Sequence, residues 1–332
     1  MNFREIEKTW IVAEIGVNHE GNESVAADLI QKASDCGVDA VKFQTYEADY
    51  YISTVQPERR DRVSKFELSR EAFVRLSNIA KDCGITFFST PLSFNDIDFL
   101  DEIIPLFKVS SGDITYIDLI RYIAQKNKPM IISTGSSTRE EIQTAVDTVL
   151  SVQPDARESG KLMLMHCVSA YPTPPKETNL ANIKWLNDNF NLPTGYSDHT
   201  LGIKACELAI AAGAIALEKH FTYQKENQAF HDHALSADPE DLKQLVQSVR
   251  TAEQYIGNYS RKRMPSEEKI LSNMRRSIAA AVDISKDVPV KKEWLTFLRP
   301  AWGLPPDQLN EVLGKPLKRN KLKGDLKKAE DI

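Results

Sequence analysis

The chain has 332 residues, enough for one large domain or two ordinary ones, and 42% hydrophobic beside 27% charged residues predicts a full core. These proportions exclude disordered and collagen-like chains, and the longest apolar runs, such as residues 208–217, are too short to span a bilayer. The net charge of −5 is uneven: residues 275–332 carry 13 Lys and Arg against 8 Asp and Glu, so a tail of +5 follows a body of −10. A basic tail without aromatic stacking platforms argues against nucleic acid as a partner and for contact with the acidic body or with a second copy of it. The start, MNFREIEKTW, has acids where a signal peptide needs a basic start and a long apolar stretch. The cysteines, Cys36, Cys83, Cys167 and Cys206, are therefore expected as reduced thiols in a cytoplasm, and with no CxxC pair a zinc ribbon is not expected.

In chain order, short apolar runs predict strands at residues 11–17, 40–44, 86–89, 107–109, 130–133, 162–167, 193–196 and 215–218. Amphipathic stretches at 24–36, 70–83, 138–150 and 203–212 predict helices between them. Eight strands alternating with helices over roughly 250 residues spell a (β/α)₈ TIM barrel. An open doubly wound sheet is the rival, disfavoured because no GxGxxG follows the first strand. One more helix is expected at 239–256, then a charged linker, and from Arg275 short β-type runs at 277–282 and 295–298 with turns at Pro300, Gly303, Gly314 and Gly324. The boundaries follow as 1–258 for a catalytic barrel, 259–274 for a linker and 275–332 for a small β-rich domain.

Active sites of such barrels gather at the carboxyl ends of the strands. Here those ends read EIGVNHEG (Glu14, Asn18, His19), VKFQT (Lys42, Gln44), FFSTP, FKVSSGD, IISTGSS, HCVSAYPTPP, GYSDHT and LEKHFT. Ser89-Thr90, Ser110-Ser111-Gly112 and Ser133-Thr134-Gly135, together with Lys42 and Lys108, would make an anion pocket sized for a phosphate and a carboxylate. The alternative is that these hydroxyls cap helices, and Thr138 with Glu141 does fit a capping box. His199 and His220 end adjacent strands and could share one divalent ion, or each could simply be packed. His231 and His233, flanking Asp232, belong either to a closing loop or to the plain surface. Glu14 and Lys42 lie in apolar strands, where a charge must be paired or functional, and mutual neutralisation is the structural alternative.

The series EIGVNHEG, VKFQT, KVSSGD, STG, SAYPTP, SDHT and EKHFT resembles the sialic acid synthase family, over nearly the whole chain. The tail, with RRSIAAAVDISK, FLRPAWGL and VLGK, resembles that family's small antifreeze-like (SAF) domain. The resemblance implies an enzyme that condenses phosphoenolpyruvate with an N-acylhexosamine (N-acetylmannosamine or a diacetamido-dideoxyhexose) and water, giving a nine-carbon ulosonic acid and phosphate. It implies a divalent ion, usually manganese, on His199 and His220, and phosphoenolpyruvate on Lys42, Thr90, Lys108, Ser111, Ser133, Ser169 and Ser197. Glu14 would stand near the reacting carbons and, with Lys42, carry the catalysis, while Gln44, Tyr171 and Asp232 would contact the sugar. Arg299 of the small domain would reach the partner's active site in a homodimer with exchanged domains. This chain departs from one branch of the family in Ser169, from many members in the segment NQAFHD before His233, and from the usual pattern in Trp302 beside Arg299. Two rivals remain: a metal-independent Schiff-base aldolase using Lys42, and a non-catalytic carbohydrate-binding protein.

Overall fold

The computed structural model describes residues 1–226, 228, 230–258 and 260–332, and the chain divides into two compact units, Met1–Gly257 and Asn258–Ile332. In the first unit β1 (Trp10–Gly16), β2 (Ala40–Thr45), β3 (Thr86–Pro91), β4 (Phe107–Val109), β5 (Met130–Ser133), β6 (Leu162–His166), β7 (Thr194–Asp198) and β8 (Ala216–His220) pair in sequence order. Every pairing is parallel, and β8 pairs with β1 to close the barrel, so the expected (β/α)₈ architecture holds and an open sheet does not. Among the described residues no helix is long and apolar enough to cross a membrane.

Local chemistry explains the punctuation. Asn22, Ser69, Ser93 and Asp238 accept backbone N–H bonds at helix starts, and Thr138 with Glu141 closes the expected capping box. Apolar residues on the strands' outward faces pack on the helices to form the main core. The barrel floor is filled by side chains: Trp10 stacks on Phe88 at 5.5 Å, and at Gly195 a Cβ would lie 2.9 Å from the Ala216 oxygen, so only glycine fits there.

Two expectations change. The last two strands run two residues further than the apolar runs suggested, because Ser197 pairs in register with Glu218 and Asp198 with Lys219. Polar side chains satisfy each other there: Lys219 Nζ lies 2.9 Å from Asp198 Oδ2 with both residues fully buried, and Tyr196 Oη donates to Asp198 Oδ1 at 2.9 Å. Pro57–Ser64 also forms a helix that periodicity does not announce, since none of its residues is buried.

In the second unit β9 (Ser277–Ala280) and β10 (Leu295–Leu298) pair antiparallel over a small core that includes Ile278, Ile284, Val290, Val312 and Leu317. The segment expected as linker, 259–274, contains the helix Pro265–Met274, started by Pro265 and by Glu267 reaching back to the Met264 N–H. Tyr259, the first residue of that expected linker, lies outside the described residues.

The Asp198–Lys219 pair yields a prediction. Lys219→Met strands a buried carboxylate and should cost about 3–5 kcal/mol of stability, measured by urea unfolding. Adding Asp198→Asn should recover a large part of that loss.

Candidate active site

Strand alternation decides which side chain of each polar strand end enters the barrel. Thr90 and Ser133 turn inward, whereas Ser89 bonds Thr45 Oγ1 at 2.7 Å and Thr134 Oγ1 donates to the Met165 oxygen at 3.0 Å. The inward residues line a cavity of about 350 Å³ at the carboxyl ends of the strands. Into it the structure brings Glu14, Lys42 and Gln44 from the first two strands, and Lys108 and Ser111 from the fourth strand and the turn after it. Ser169 and Tyr171 enter from the loop after β6, and Ser197, His199 and His220 from β7, the residue after it, and β8.

At its base four charged groups are almost wholly removed from water. Lys42 Nζ stands 2.9 Å from Glu14 Oε2 and 3.6 Å from Glu218 Oε1, and Lys108 Nζ stands 3.3 Å from Glu218 Oε2. Ser197 Oγ donates to Glu218 Oε1 at 2.9 Å. Pairing of Glu14 with Lys42 is thus present, but Lys42 is shared with a second acid and all four groups face the cavity. Burial pushes the Glu14 carboxyl up, and Lys42 only partly offsets it. Burial also acts on Glu218, but Lys108 and Lys42 outweigh it and hold that carboxyl down. For Lys42, burial is overcome by the two carboxylates, which hold the ammonium charged, while burial lowers Lys108. Glu218 is the main residue that the sequence reading passed over. Its signal, an acid within an apolar strand, is the one that singled out Glu14.

Around the charges the wall is rich in unused donors and acceptors. Thr90 Oγ1, Ser133 Oγ and His220 Nδ1 are buried without hydrogen-bond partners. Ser111 Oγ accepts from the Gly135 N–H at 3.0 Å and meets Cys167 Sγ at 3.1 Å. A Cβ on Gly135 would come within 2.9 Å of both atoms and closer still to Ser169 Oγ, so glycine keeps this wall open.

His199 and His220 stand with ring centroids 5.5 Å apart, and Tyr171 covers His199 at 4.1 Å. His199 Nδ1 bonds the Val168 oxygen at 2.7 Å, which leaves Nε2 as the free lone pair. Burial lowers the pKa of both imidazoles, so both are neutral and able to ligate. Among the described residues no group of three or more His, Cys, Asp or Glu is arranged to hold a metal. The donors present fit a divalent ion held by two imidazoles and otherwise by water or substrate.

The remaining candidates separate. Asn18 is structural, donating to the Phe221 oxygen at 2.8 Å and to Ser236 Oγ at 3.0 Å. His19 Nδ1 accepts from the Gly21 N–H at 3.0 Å and its ring stacks on Phe43. His233 is buried against Thr222 Oγ1 at 2.6 Å and Glu20 at 3.3 Å, whereas His231 and Asp232 line an adjoining cavity. Asp232 Oδ2 lies 3.9 Å from His220 Nδ1. In the divergent NQAFHD segment Asn227 and Ala229 lie outside the described residues. Arg299 belongs to the second unit, in the exposed turn after β10, with its Nε bonded to the Met274 oxygen at 2.6 Å. Ser277 Oγ holds that turn by donating to the Pro300 oxygen and accepting from the Gly303 N–H, each at 2.8 Å.

Residues 29–261 match the NeuB family. The chain is 39% identical over 325 residues to the N,N'-diacetyllegionaminic acid synthase of Legionella pneumophila subsp. pneumophila, covering 94% of this chain and 91% of that one. It is 37% identical over 329 residues to the protein of the same name from Campylobacter jejuni subsp. jejuni, covering 95% and 97%. Among solved structures, the N-acetylneuraminic acid (sialic acid) synthetase of Leptospira borgpetersenii serovar Hardjo-bovis, in complex with citrate, matches with a TM-score of 0.75 at 31% identity, over 80% of this chain and 90% of that one. The likeness read from the strand ends therefore stands, and this chain belongs to the NeuB family, alongside legionaminic and sialic acid synthases.

Proposed function

We propose that the protein condenses phosphoenolpyruvate with an N-acylhexosamine and water to give a nine-carbon ulosonic acid and phosphate. The observation that carries this reading is the juxtaposition of buried Lys42 and Lys108 and the unpartnered hydroxyls of Thr90 and Ser133 with two neutral imidazoles in one cavity. Lys42 and Lys108, with Thr90, Ser111, Ser133, Ser169 and Ser197, bind the phosphate and carboxylate of phosphoenolpyruvate through charge-assisted bonds. His199 and His220 would hold a divalent ion, manganese in this reading, which when bound supplies polarisation of an aldehyde oxygen.

The chain's own groups manage the rest. A bond forms between C3 of phosphoenolpyruvate and the sugar's aldehyde carbon, water adds at C2, and the bond from C2 to the phosphate oxygen breaks; one proton of the water ends on the former aldehyde oxygen and the other leaves with the phosphate. Glu14, whose carboxyl burial makes reluctant to ionise, takes the proton of the water that adds at C2. Glu218 stays ionised, helps hold Lys42 charged and pairs with Lys108. Gln44, Tyr171 and Asp232 orient the sugar. A Schiff-base role for Lys42 is disfavoured, because two carboxylates hold it as an ammonium with no free pair for attack. A purely carbohydrate-binding role leaves the buried acid pair and the anion pocket without a task.

In the same reading residues 275–332 are an SAF-type domain that, in a cytoplasmic homodimer, brings Arg299 to the partner's sugar. The free state of the four cysteines supports a reducing compartment.

Purified protein given phosphoenolpyruvate, manganese and a panel of N-acylhexosamines should release phosphate. His199→Ala and His220→Ala should fold normally yet lose both phosphate release and tight manganese binding, and full activity of either in chelator-treated buffer would overturn the ligand assignment.

Lys108→Met removes a charge-assisted contact to the anion. The KM for phosphoenolpyruvate should rise at least about tenfold, a loss of ~1.4 kcal/mol or more, and an unchanged KM returns Lys108 to a structural role.

For the exchanged domain, Arg299→Ala protein mixed with His199→Ala protein should regain activity once subunits exchange, because one shared site then carries neither defect. Verified heterodimers that stay inactive remove the model.

A further inference from the structure

The loop after β8 carries Asp232 to the cavity, yet the four-residue helix that presents it, Asp232–Leu235, is too short to hold its own shape. Its fixed points lie outside it. Asp232 Oδ2 stands 3.9 Å from His220 Nδ1, which is buried without a hydrogen-bond partner. His233, the next residue, does not line either cavity and is fully removed from water. Its Nδ1 lies 2.6 Å from Thr222 Oγ1, two residues beyond His220, and its Nε2 lies 3.3 Å from Glu20 Oε1 in the loop after β1.

Burial lowers the pKa of the His233 imidazole and the Glu20 carboxylate only partly offsets it, so the ring is neutral. A neutral imidazole has one N–H and one lone pair. With the hydrogen on Nε2 the ring donates to Glu20 and accepts at Nδ1 from the Thr222 hydroxyl, and both contacts are satisfied. With it on Nδ1 the Nε2 lone pair would face a carboxylate. Glu20 holds a positive φ of 47°, unfavourable for a residue with a Cβ, and its side chain is 37% exposed, so the core gains nothing from it. Asn18, in the same loop, ties the far end of the turn by donating to Ser236 Oγ, which in turn donates to the Asp232 oxygen at 2.6 Å.

We propose that Glu20 and His233 are positioning residues. The hydrogen-bonded line Thr222–His233–Glu20 pins the turn 231–236 between the end of β8 and the loop after β1, and thereby sets Asp232 against His220. Neither Glu20 nor His233 lines the cavity, so each acts through Asp232. The proposal rests on the synthase reading for the step it serves, the orientation of the sugar.

The test uses the manganese-loaded full chain and the N-acylhexosamine that gives phosphate release. Glu20→Ala should lower kcat/KM for that sugar about tenfold or more, with the KM for phosphoenolpyruvate held within about twofold. Glu20→Gln keeps an acceptor for the Nε2 hydrogen and should stay within about threefold of the wild type. In an Asp232→Ala background, Glu20→Ala should cost no more than about twofold further, since residues that act through one another are not additive. A full additional loss there, equal damage to phosphoenolpyruvate binding, or no loss in Glu20→Ala alone would overturn the proposal. So would a Glu20→Gln protein as impaired as Glu20→Ala, because the contact would then be an ion pair of a charged imidazole. If no acceptor releases phosphate, the synthase reading fails by itself and amide hydrogen exchange decides the line, as it does where Asp232→Ala is already inactive. Exchange across 231–236 that speeds about tenfold in Glu20→Ala, but not in Glu20→Gln or in the barrel strands, sustains the line, and unchanged exchange in Glu20→Ala removes it.

Discussion

Two carboxylates and two ammonium groups stand inside the barrel within 3.6 Å of one another along the chain Glu14–Lys42–Glu218–Lys108, nearly sealed from water. Removing four charges from solvent is costly, and mutual attraction offsets the cost only if every member is present. The strands that carry them, β1, β2, β4 and β8, are therefore constrained in register by their charges as well as by their apolar faces. The same arrangement divides labour. Glu218 touches both lysines and stays charged, while Glu14 shares one lysine and is free to hold a proton. The two lysines of the cavity are thus held in place by the carboxylates beside them.

The outward face of the last two strands supports this. Asp198 and Lys219 pair on β7 and β8, each one residue before a cavity histidine. Their bond fixes the two strand ends relative to each other, and the Val168 oxygen fixes the ring of His199. What is built on strands is rigid and chemical. The segment after β2 and the loop after β8 are held by their own contacts, among them Tyr46 Oη donating to the Val63 oxygen and His233 beside Thr222 and Glu20, and by the Phe66–Phe230 pair between them.

The eight strands were legible because apolar runs of strand length recur between amphipathic stretches. Glu14 and Lys42 were legible because a charge inside such a run has no place in an ordinary core, Lys108 because it stands beside hydroxyl-rich strand ends, and Glu218 carried the first of these signals unread. The helix Pro57–Ser64 was not legible, since a segment with no buried residue leaves no periodic trace. In the stretch expected as linker, the helix Pro265–Met274 has no buried residue either, and its start rests on Pro265 and Glu267.

By itself the sequence determined the barrel, its polar strand ends and the unequal charges of its two parts, because alternation and composition follow directly from residue order. Apart from the family resemblance, residue order could not tell Ser89 from Thr90 or Thr134 from Ser133. Neighbours in sequence point to opposite sides of a strand or a turn, and only closure of the barrel decides which side is the cavity. Nor could it join Lys42 to Glu218, 176 positions apart, since that contact exists only once β8 has returned to pair with β1.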